Sequence, residues 1–254
     1  MRSPEISTLF RYCFQKESYI DGSFFVKQLT MRYSTIPVFI TLFLLMAFTG
    51  TQQKQRVIFF GDSITQAGVK PKGYITVLGE MLQQKGLQDR YELHGAGIGG
   101  NKVYDLYLRM EEDVLAKNPQ IVFIWVGVND VWHKRTSGTG TDASKFEKFY
   151  NAIIKKLKDK NIKVVLCTPA AIGEKTDYTN ELDGDLNHYA ALIRNIAQQN
   201  NCALVDLRKA FLDYNLAHNK DNKESGILTT DRVHLNDTGN QLVAEEMLKV
   251  LIKL

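Results

Sequence analysis

Cysteine is scarce in this sequence. The 254 residues include only Cys13, Cys167 and Cys202. Cys167 falls late in one predicted strand and Cys202 opens the next. In parallel strands these positions lie near opposite ends, too far apart for a disulfide bond. Both are therefore expected to be free thiols, and the chain has neither a disulfide framework nor a metal-binding cysteine spacing.

A long apolar segment is also lacking. The apolar run Ile36–Phe48 has 13 residues, whereas a bilayer-spanning helix needs about 20. Its length is typical of a signal peptide, and Met31 and Arg32 before it would supply the start and the positive charge. We therefore expect a disordered upstream extension over 1–30, a signal peptide over 31–51 and one domain over 52–254. This arrangement predicts export to the periplasm or the exterior, with an uncleaved N-terminal anchor as the alternative.

A concentrated basic patch is absent as well. The formal net charge is +4, and the basic residues are spread along the chain. The densest group, Lys155 to Lys160, follows a helical pattern and is typical of a solvated helix face. Nucleic acid is therefore not an expected partner. No multi-pass membrane region, internal repeat or second domain is present, and the sequence leaves the oligomeric state open.

What the sequence does contain, from residue 55 onward, is an alternation of apolar runs and amphipathic stretches. The runs are continuous, as in parallel strands that are covered on both faces. They are Val57–Phe60, Tyr91–Leu93 with its continuation, Ile121–Val126, Lys163–Cys167 and Ala203–Leu207. Helical stripes begin at Tyr74, Phe146, Leu186 and Leu242. The alternation predicts an α/β fold, a three-layer αβα sandwich around a doubly wound parallel five-stranded sheet of the flavodoxin-like type.

Four short motifs fall where such a sheet binds ligands, beyond the carboxyl ends of its strands. Three follow the first three strands, and the fourth precedes the last helix. They are Gly61-Asp62-Ser63-Ile64-Thr65, Gly97-Ile98-Gly99-Gly100-Asn101, Gly127-Val128-Asn129-Asp130 and Asp231-Arg232-Val233-His234. We expect them to meet at one edge of the sheet.

In this order and spacing the motifs resemble those of the SGNH hydrolase superfamily, the GDSL-like lipases and acylhydrolases. The resemblance covers about residue 57 to the C-terminus. It implies an esterase with Ser63 as nucleophile and His234 as its base. One position departs from the pattern, because Gly95 stands where the family often has Asn. Since Gly100 still matches the oxyanion glycine, a local change is expected rather than loss of activity.

The residue types fit this chemistry. A serine hydroxyl is a weak nucleophile at neutral pH and needs an adjacent base. Histidine can accept and return a proton in that pH range. Asp231, three residues before His234, can orient the imidazole and stabilise its charged form. Read alone, Ser63 could be only a helix cap, and the other motifs favour the catalytic reading.

The resemblance further implies three oxyanion-hole donors. These are the backbone N–H of Ser63, the backbone N–H of Gly100 and the side-chain amide of Asn129. Gly99 is the rival of Gly100, and Asn129 could instead be a turn former or a helix cap. Asp62 and Asp130 are expected to hold their loops rather than to react. The reaction requires no cofactor, and no metal site is expected.

Residues 131–142 are predicted to form a mobile loop that overhangs the site and influences specificity. Within it, Trp132 and His133 are candidate substrate contacts. Tyr74 and Tyr178, like Trp132, could offer stacking surfaces for a sugar ring. An ordinary surface loop without substrate contact is the alternative.

The expected function is hydrolysis of a carboxylic ester, with a short-chain or acetyl ester of a carbohydrate as the best candidate for the small-molecule or glycan substrate. An O-acyltransferase on the same residues, a non-catalytic glycan-binding domain and a flavodoxin-like phosphate-binding protein are the alternatives. The last of these leaves Asp231 and His234 unexplained. No long apolar lid is evident, which disfavours a long-chain lipase.

Overall fold

The computed structural model describes residues 53–254. The expected extension and signal peptide, and Cys13, lie outside the described residues. Five parallel strands form one sheet in the order β2-β1-β3-β4-β5. They are β1 (Gln55–Gly61), β2 (Tyr91–Gly97), β3 (Ile121–Trp125), β4 (Lys163–Cys167) and β5 (Ala203–Val205). The prediction of a doubly wound parallel five-stranded sheet is confirmed.

Eight α-helices accompany the strands in the described part of the chain. They are α1 (Ser63–Gly68), α2 (Tyr74–Gln84), α3 (Val103–Asp113), α4 (Val128–Thr136), α5 (Ala143–Lys158), α6 (Asp183–Gln199), α7 (Leu207–His218) and α8 (Asp237–Leu251). Helix α2 packs against α8 in one layer, and α3, α5 and α6 pack in succession in the other. Burial on both faces explains why the strand sequences are continuously apolar.

The core lies where the central strands meet these two layers. Val57–Phe60 in β1 and Ile121–Ile124 in β3 are at most 1% exposed. Phe59 stacks on Phe123 across the two strands, with ring centroids 5.0 Å apart. This rigid apolar centre holds the carboxyl ends of the strands in fixed positions.

Two elements differ from the sequence prediction. The predicted loop over 131–142 is helical as far as Thr136, because Val128 and Val131 are buried and extend α4 from the end of β3. The fifth strand ends at Val205 rather than at residue 207. There the Asp206 side chain accepts a hydrogen bond from Lys209 N and caps α7.

Two smaller observations complete the fold. Cys167 and Cys202 are free, as expected, and burial raises the pKa of both thiols. Within residues 53–254, no helix combines the length and the apolar character that a membrane crossing requires.

Candidate active site

The strand register brings three of the four motifs to one edge of the sheet. Gly61, the last residue of β1, pairs with Gly97 of β2 on one side and with Trp125 of β3 on the other. The segments that carry Ser63, Gly100 and Asn129 therefore leave the sheet side by side. The order of the strands places the chain reversal between β1 and β3, where open α/β sheets bind their ligands.

Ser63 is the first residue of α1. Asp62 precedes it as the helix cap, and its carboxyl group accepts a hydrogen bond from Ile64 N at 3.0 Å. The helix runs close to the end of β2, since a Cβ on Gly97 would lie 2.1 Å from Gln66 N. Glycine is thus required at residue 97 for α1 to approach the strand.

Ser63, His234 and Asp231 form one hydrogen-bonded chain. Ser63 Oγ lies 3.0 Å from His234 Nε2, although the two residues are 171 positions apart in sequence. His234 Nδ1 lies 2.7 Å from Asp231 Oδ2. The other carboxyl oxygen, Oδ1, accepts hydrogen bonds from the backbone N–H groups of Val233 and His234.

The contacts of Asp231 define the direction of these hydrogen bonds. Partial burial alone would raise the pKa of its carboxyl group, but hydrogen bonds from the His234 backbone and imidazole, and from Val233 N, lower it below the usual value. An ionised carboxylate can only accept, so Nδ1 carries the proton and donates to Asp231. In the neutral imidazole, Nε2 is then the acceptor for the Ser63 hydroxyl, which is the arrangement that a general base requires.

The loop that carries Asp231 and His234 is held by its own backbone and by a distant segment. Thr230 N donates to His234 O at 2.8 Å, and Gly173 N donates to Arg232 O at 2.9 Å. Arg232, between the two site residues, has a positive φ of 84°. A non-glycine residue in this region is uncommon, and these flanking hydrogen bonds stabilise the turn.

The expected oxyanion donors lie on two neighbouring segments. Gly99 N donates to Gln66 Oε1 at 3.1 Å, whereas the N–H groups of Gly100 and Ser63 have no acceptor within residues 53–254. Gly100 has a φ of 76°, which favours glycine. Asn129 Nδ2 donates one hydrogen to Asn101 O at 3.1 Å, so that the second hydrogen can serve a ligand. These contacts favour Gly100 over Gly99 as the donor.

The four candidate substrate contacts, Trp132, His133, Tyr74 and Tyr178, differ in position and in exposure. His133 borders the site, because a Cβ on Gly100 would lie 3.8 Å from His133 Cε1, and Trp132 beside it is partly buried against the core. Tyr178 is 94% exposed. The expectation for Tyr74 is wrong, since its ring is fully buried and its hydroxyl donates to Thr65 Oγ1.

Several residues around the site carried no recognisable signal in the sequence. Arg109, Gln66 and Glu174 each hold a loop of the site by hydrogen bonds to its backbone. Their partners lie 13, 33 and 54 positions away. Only the folded arrangement identifies them. By contrast, Asp62 and Asp130 occupy the structural positions expected of them, with Asp130 Oδ1 accepting from Val103 N at the start of α3.

This αβα fold, with a hydrogen-bonded serine, histidine and aspartate at the edge of its sheet, is that of an ester hydrolase. The sequence profile of the GDSL-like lipase/acylhydrolase family matches residues 59–242, and the chain belongs to this family. The family assignment makes it an enzyme that acts on ester bonds.

Three individual proteins show which enzymes the chain is similar to within this comparison. The crystal structure of an acetyl xylan esterase, AlAXEase, is 68% identical, with a TM-score of 0.75 over 76% of this chain and 98% of that one. The acetylxylan esterase of Geobacillus stearothermophilus is 28% identical over 211 residues, which are 77% of this chain and 93% of that protein. LAE5, an alpha/beta hydrolase from the metagenome of Lake Arreo, is 27% identical, with a TM-score of 0.69 over 77% of this chain and 94% of that one.

Proposed function

We propose that this chain is a carbohydrate esterase that removes acetyl groups from xylan or xylo-oligosaccharides, with Ser63 as nucleophile and His234 as general base and acid. The contacts at 3.0 and 2.7 Å that join Ser63, His234 and Asp231 are the observation that carries the proposal. The acetylxylan substrate is supported by the similarity of the chain to acetylxylan esterases. Solved structures of catalytic mutants of the Geobacillus enzyme replace a serine, an aspartate or a histidine, the residue types that meet here.

In the first half of the reaction, Ser63 Oγ attacks the acetyl carbonyl carbon while its proton passes to His234 Nε2. The carbonyl electron pair moves to oxygen, where the N–H groups of Ser63 and Gly100 and the amide of Asn129 stabilise the charge. When the intermediate collapses, the bond from carbon to the sugar oxygen breaks. His234 returns the proton to that oxygen, and an acetyl-enzyme remains.

In the second half, a water molecule replaces the sugar. It gives a proton to His234 Nε2 and attacks the acetyl carbon, and the bond to Ser63 Oγ then breaks as the serine regains its proton. The side chains of His234 and Asp231 are 38% and 52% exposed, so water can approach the acetyl-enzyme. This open site fits a substrate that enters from solution.

The proposal is tested by measuring acetate release from acetylated xylo-oligosaccharides, O-acetylated pectin, O-acetylated sialic acid and peptidoglycan fragments. The wild type should prefer the xylo-oligosaccharides. Ser63→Ala should lower the rate by a factor on the order of 10⁴ or more, whereas Ser144→Ala, on the exposed surface of α5, should leave it unchanged. Equal rates for the wild type and Ser63→Ala would contradict the mechanism. Acetyl transfer to an added glycan in excess of acetate release would favour the acyltransferase.

A further inference from the structure

Arg109 extends from α3 toward the carboxyl ends of β1 and β2, and its side chain is only 15% exposed. Its guanidinium makes four hydrogen-bonded contacts. Nε donates to Asn101 Oδ1 at 2.7 Å and Nη1 to Asp113 Oδ2 at 2.6 Å. Nη2 donates to Gly61 O at 2.8 Å and to Ala96 O at 3.0 Å.

Three of these contacts fall on the segments that carry the expected oxyanion donors. Gly61 lies two residues before Ser63, and Ala96 and Asn101 lie on either side of Gly100. Asn101 also accepts the amide hydrogen of Asn129 through its backbone oxygen. One side chain therefore contacts the backbone near Ser63 and Gly100 and is linked, through Asn101, to the side-chain amide of Asn129.

We infer that Arg109 is a positioning residue, which holds the oxyanion hole in its reactive geometry without touching the substrate. The inference rests on the proposed role of Ser63 and its oxyanion donors. The inference also offers a reason why this chain can have glycine at residue 95, where the family often has asparagine. The Gly100 loop is held by Arg109 from within the sheet edge and by Gln66 from α1.

Only arginine suits this position. Its planar guanidinium has five donors in a fixed geometry, whereas a lysine ammonium is a point charge on a flexible stem. The plane also lies over the Phe60 ring, with its carbon 4.5 Å from the ring centroid, and Asp113 balances the charge. Lysine could reach one or two of the acceptors but could not reproduce the fixed planar arrangement of donors.

The expected consequence is a loss of turnover with little change in substrate binding. The oxyanion forms only in the transition state, so displaced donors lower kcat more than they raise KM. A misplacement of about 1 Å can cost on the order of 10² in rate. Arg109→Met should therefore lower kcat by about 10- to 100-fold and Arg109→Lys by somewhat less, while KM changes by less than about threefold.

The experiment measures kcat and KM with p-nitrophenyl acetate, and separately the melting temperature, for Arg109→Met, Arg109→Lys and Asn101→Ala. Arg56→Met is the matched control, because Arg56 bridges Glu92 and Lys117 O at the opposite, amino-terminal end of the sheet. It should keep a wild-type kcat. Asn101→Ala removes only the contact with Arg109 Nε and should lower kcat severalfold. This variant keeps the inference testable if Arg109→Met fails to fold.

A double-mutant cycle separates positioning from simple stabilisation. If Arg109 acts through the oxyanion hole, the loss from Arg109→Met in an Asn129→Ala background should be smaller than in the wild type. The inference is overturned if Arg109→Met lowers only the melting temperature, or if the two losses multiply fully. Ser63→Ala separates failure of the proposed function from failure of the inference about Arg109. If the wild type is no faster than Ser63→Ala, the proposed function itself fails, whatever the effect of the Arg109 variants.

Discussion

Asp62 is a buried carboxyl group directly before Ser63. Its pKa is raised to about 7, mainly by burial and also by the charge of Asp130, although the hydrogen bond from Ile64 N and the charge of His234 oppose the shift. Burial raises the pKa of Asp130 to about 7 as well. In the folded protein both carboxyl groups have a pKa of about 7, whereas in the unfolded chain they would ionise near pH 4.

The sign of this shift gives a prediction for stability. Because the folded pKa of Asp62 lies above its unfolded value, the wild type loses stability as the pH rises from about 4 to about 7. Asp62→Asn keeps an oxygen that can accept from Ile64 N and removes the titration. The free energy of unfolding of the variant should rise relative to the wild type between pH 5 and pH 8, by up to ~3 kcal/mol.

Urea unfolding at the two pH values measures this difference. Asp89→Asn is the control, since the Asp89 side chain is 82% exposed and should leave the pH dependence unchanged. Parallel pH profiles for Asp62→Asn and the wild type would show that Asp62 ionises normally in the folded state.

At the residue scale, the sequence motifs predicted the contacts among the candidate residues better than the contacts that surround them. The spacing of Asp231 and His234 predicted a contact that the structure contains. The choice between Gly99 and Gly100 needed the Gln66 contact, and the burial of Tyr74 depends on Phe59 and Trp125 packing edge-on against its ring. Such contacts are tertiary, and no local pattern predicts them.

Two segments far apart in sequence form the support beneath Asp231 and His234. The carboxyl group of Glu174 is buried and accepts three backbone hydrogen bonds, from Ile227, Leu228 and Thr229, at 2.7 to 2.9 Å. Its own N–H donates to Glu224 O. Residues 173–174 thereby fix the chain that leads into the turn of Asp231 and His234.

Glu174→Gln should loosen this segment. The amide group replaces one acceptor oxygen with a donor that faces a backbone N–H, which leaves buried groups unpaired. We expect a loss of about 2–4 kcal/mol in stability, faster amide exchange over 224–235 and a lower kcat. Hydrogen exchange with mass spectrometry and steady-state kinetics measure these effects.

The matched control is Glu111→Gln, which changes the exposed ion pair with Lys156 and should cost less than about 1 kcal/mol. Unchanged exchange over 224–235 in Glu174→Gln would mean that other contacts hold the segment.

At the element scale, hydrophobic periodicity predicted the strands and the helices α2, α5, α6 and α8, but it missed α3 and α7 and placed a loop over most of α4. Helix α4 is short and rich in polar and basic residues after Val131, so its pattern resembles that of a surface loop. Its helical form follows from the burial of Val128 and Val131 at the end of β3.

The whole molecule brings distant motifs together through its topology. Reversal of the strand order at β1 places the ends of β2 and β3 on either side of Gly61. The chain returns through α7 and the Glu174-supported segment before it presents His234. The fold class was predictable because parallel strands leave a continuous apolar signature. Export by residues 31–51 stays a prediction, because those residues lie outside the described part of the chain.

The proposed mechanism requires that Ser63, activated by His234, becomes acylated during turnover. Labelling with diethyl p-nitrophenyl phosphate, followed by peptide mass spectrometry, tests it most directly. We expect about one equivalent of label on the peptide that contains Ser63, a parallel loss of esterase activity, and much slower labelling of His234→Ala. Inactivation with the label on another residue, or full ester hydrolysis by a protein labelled at Ser63, would contradict it.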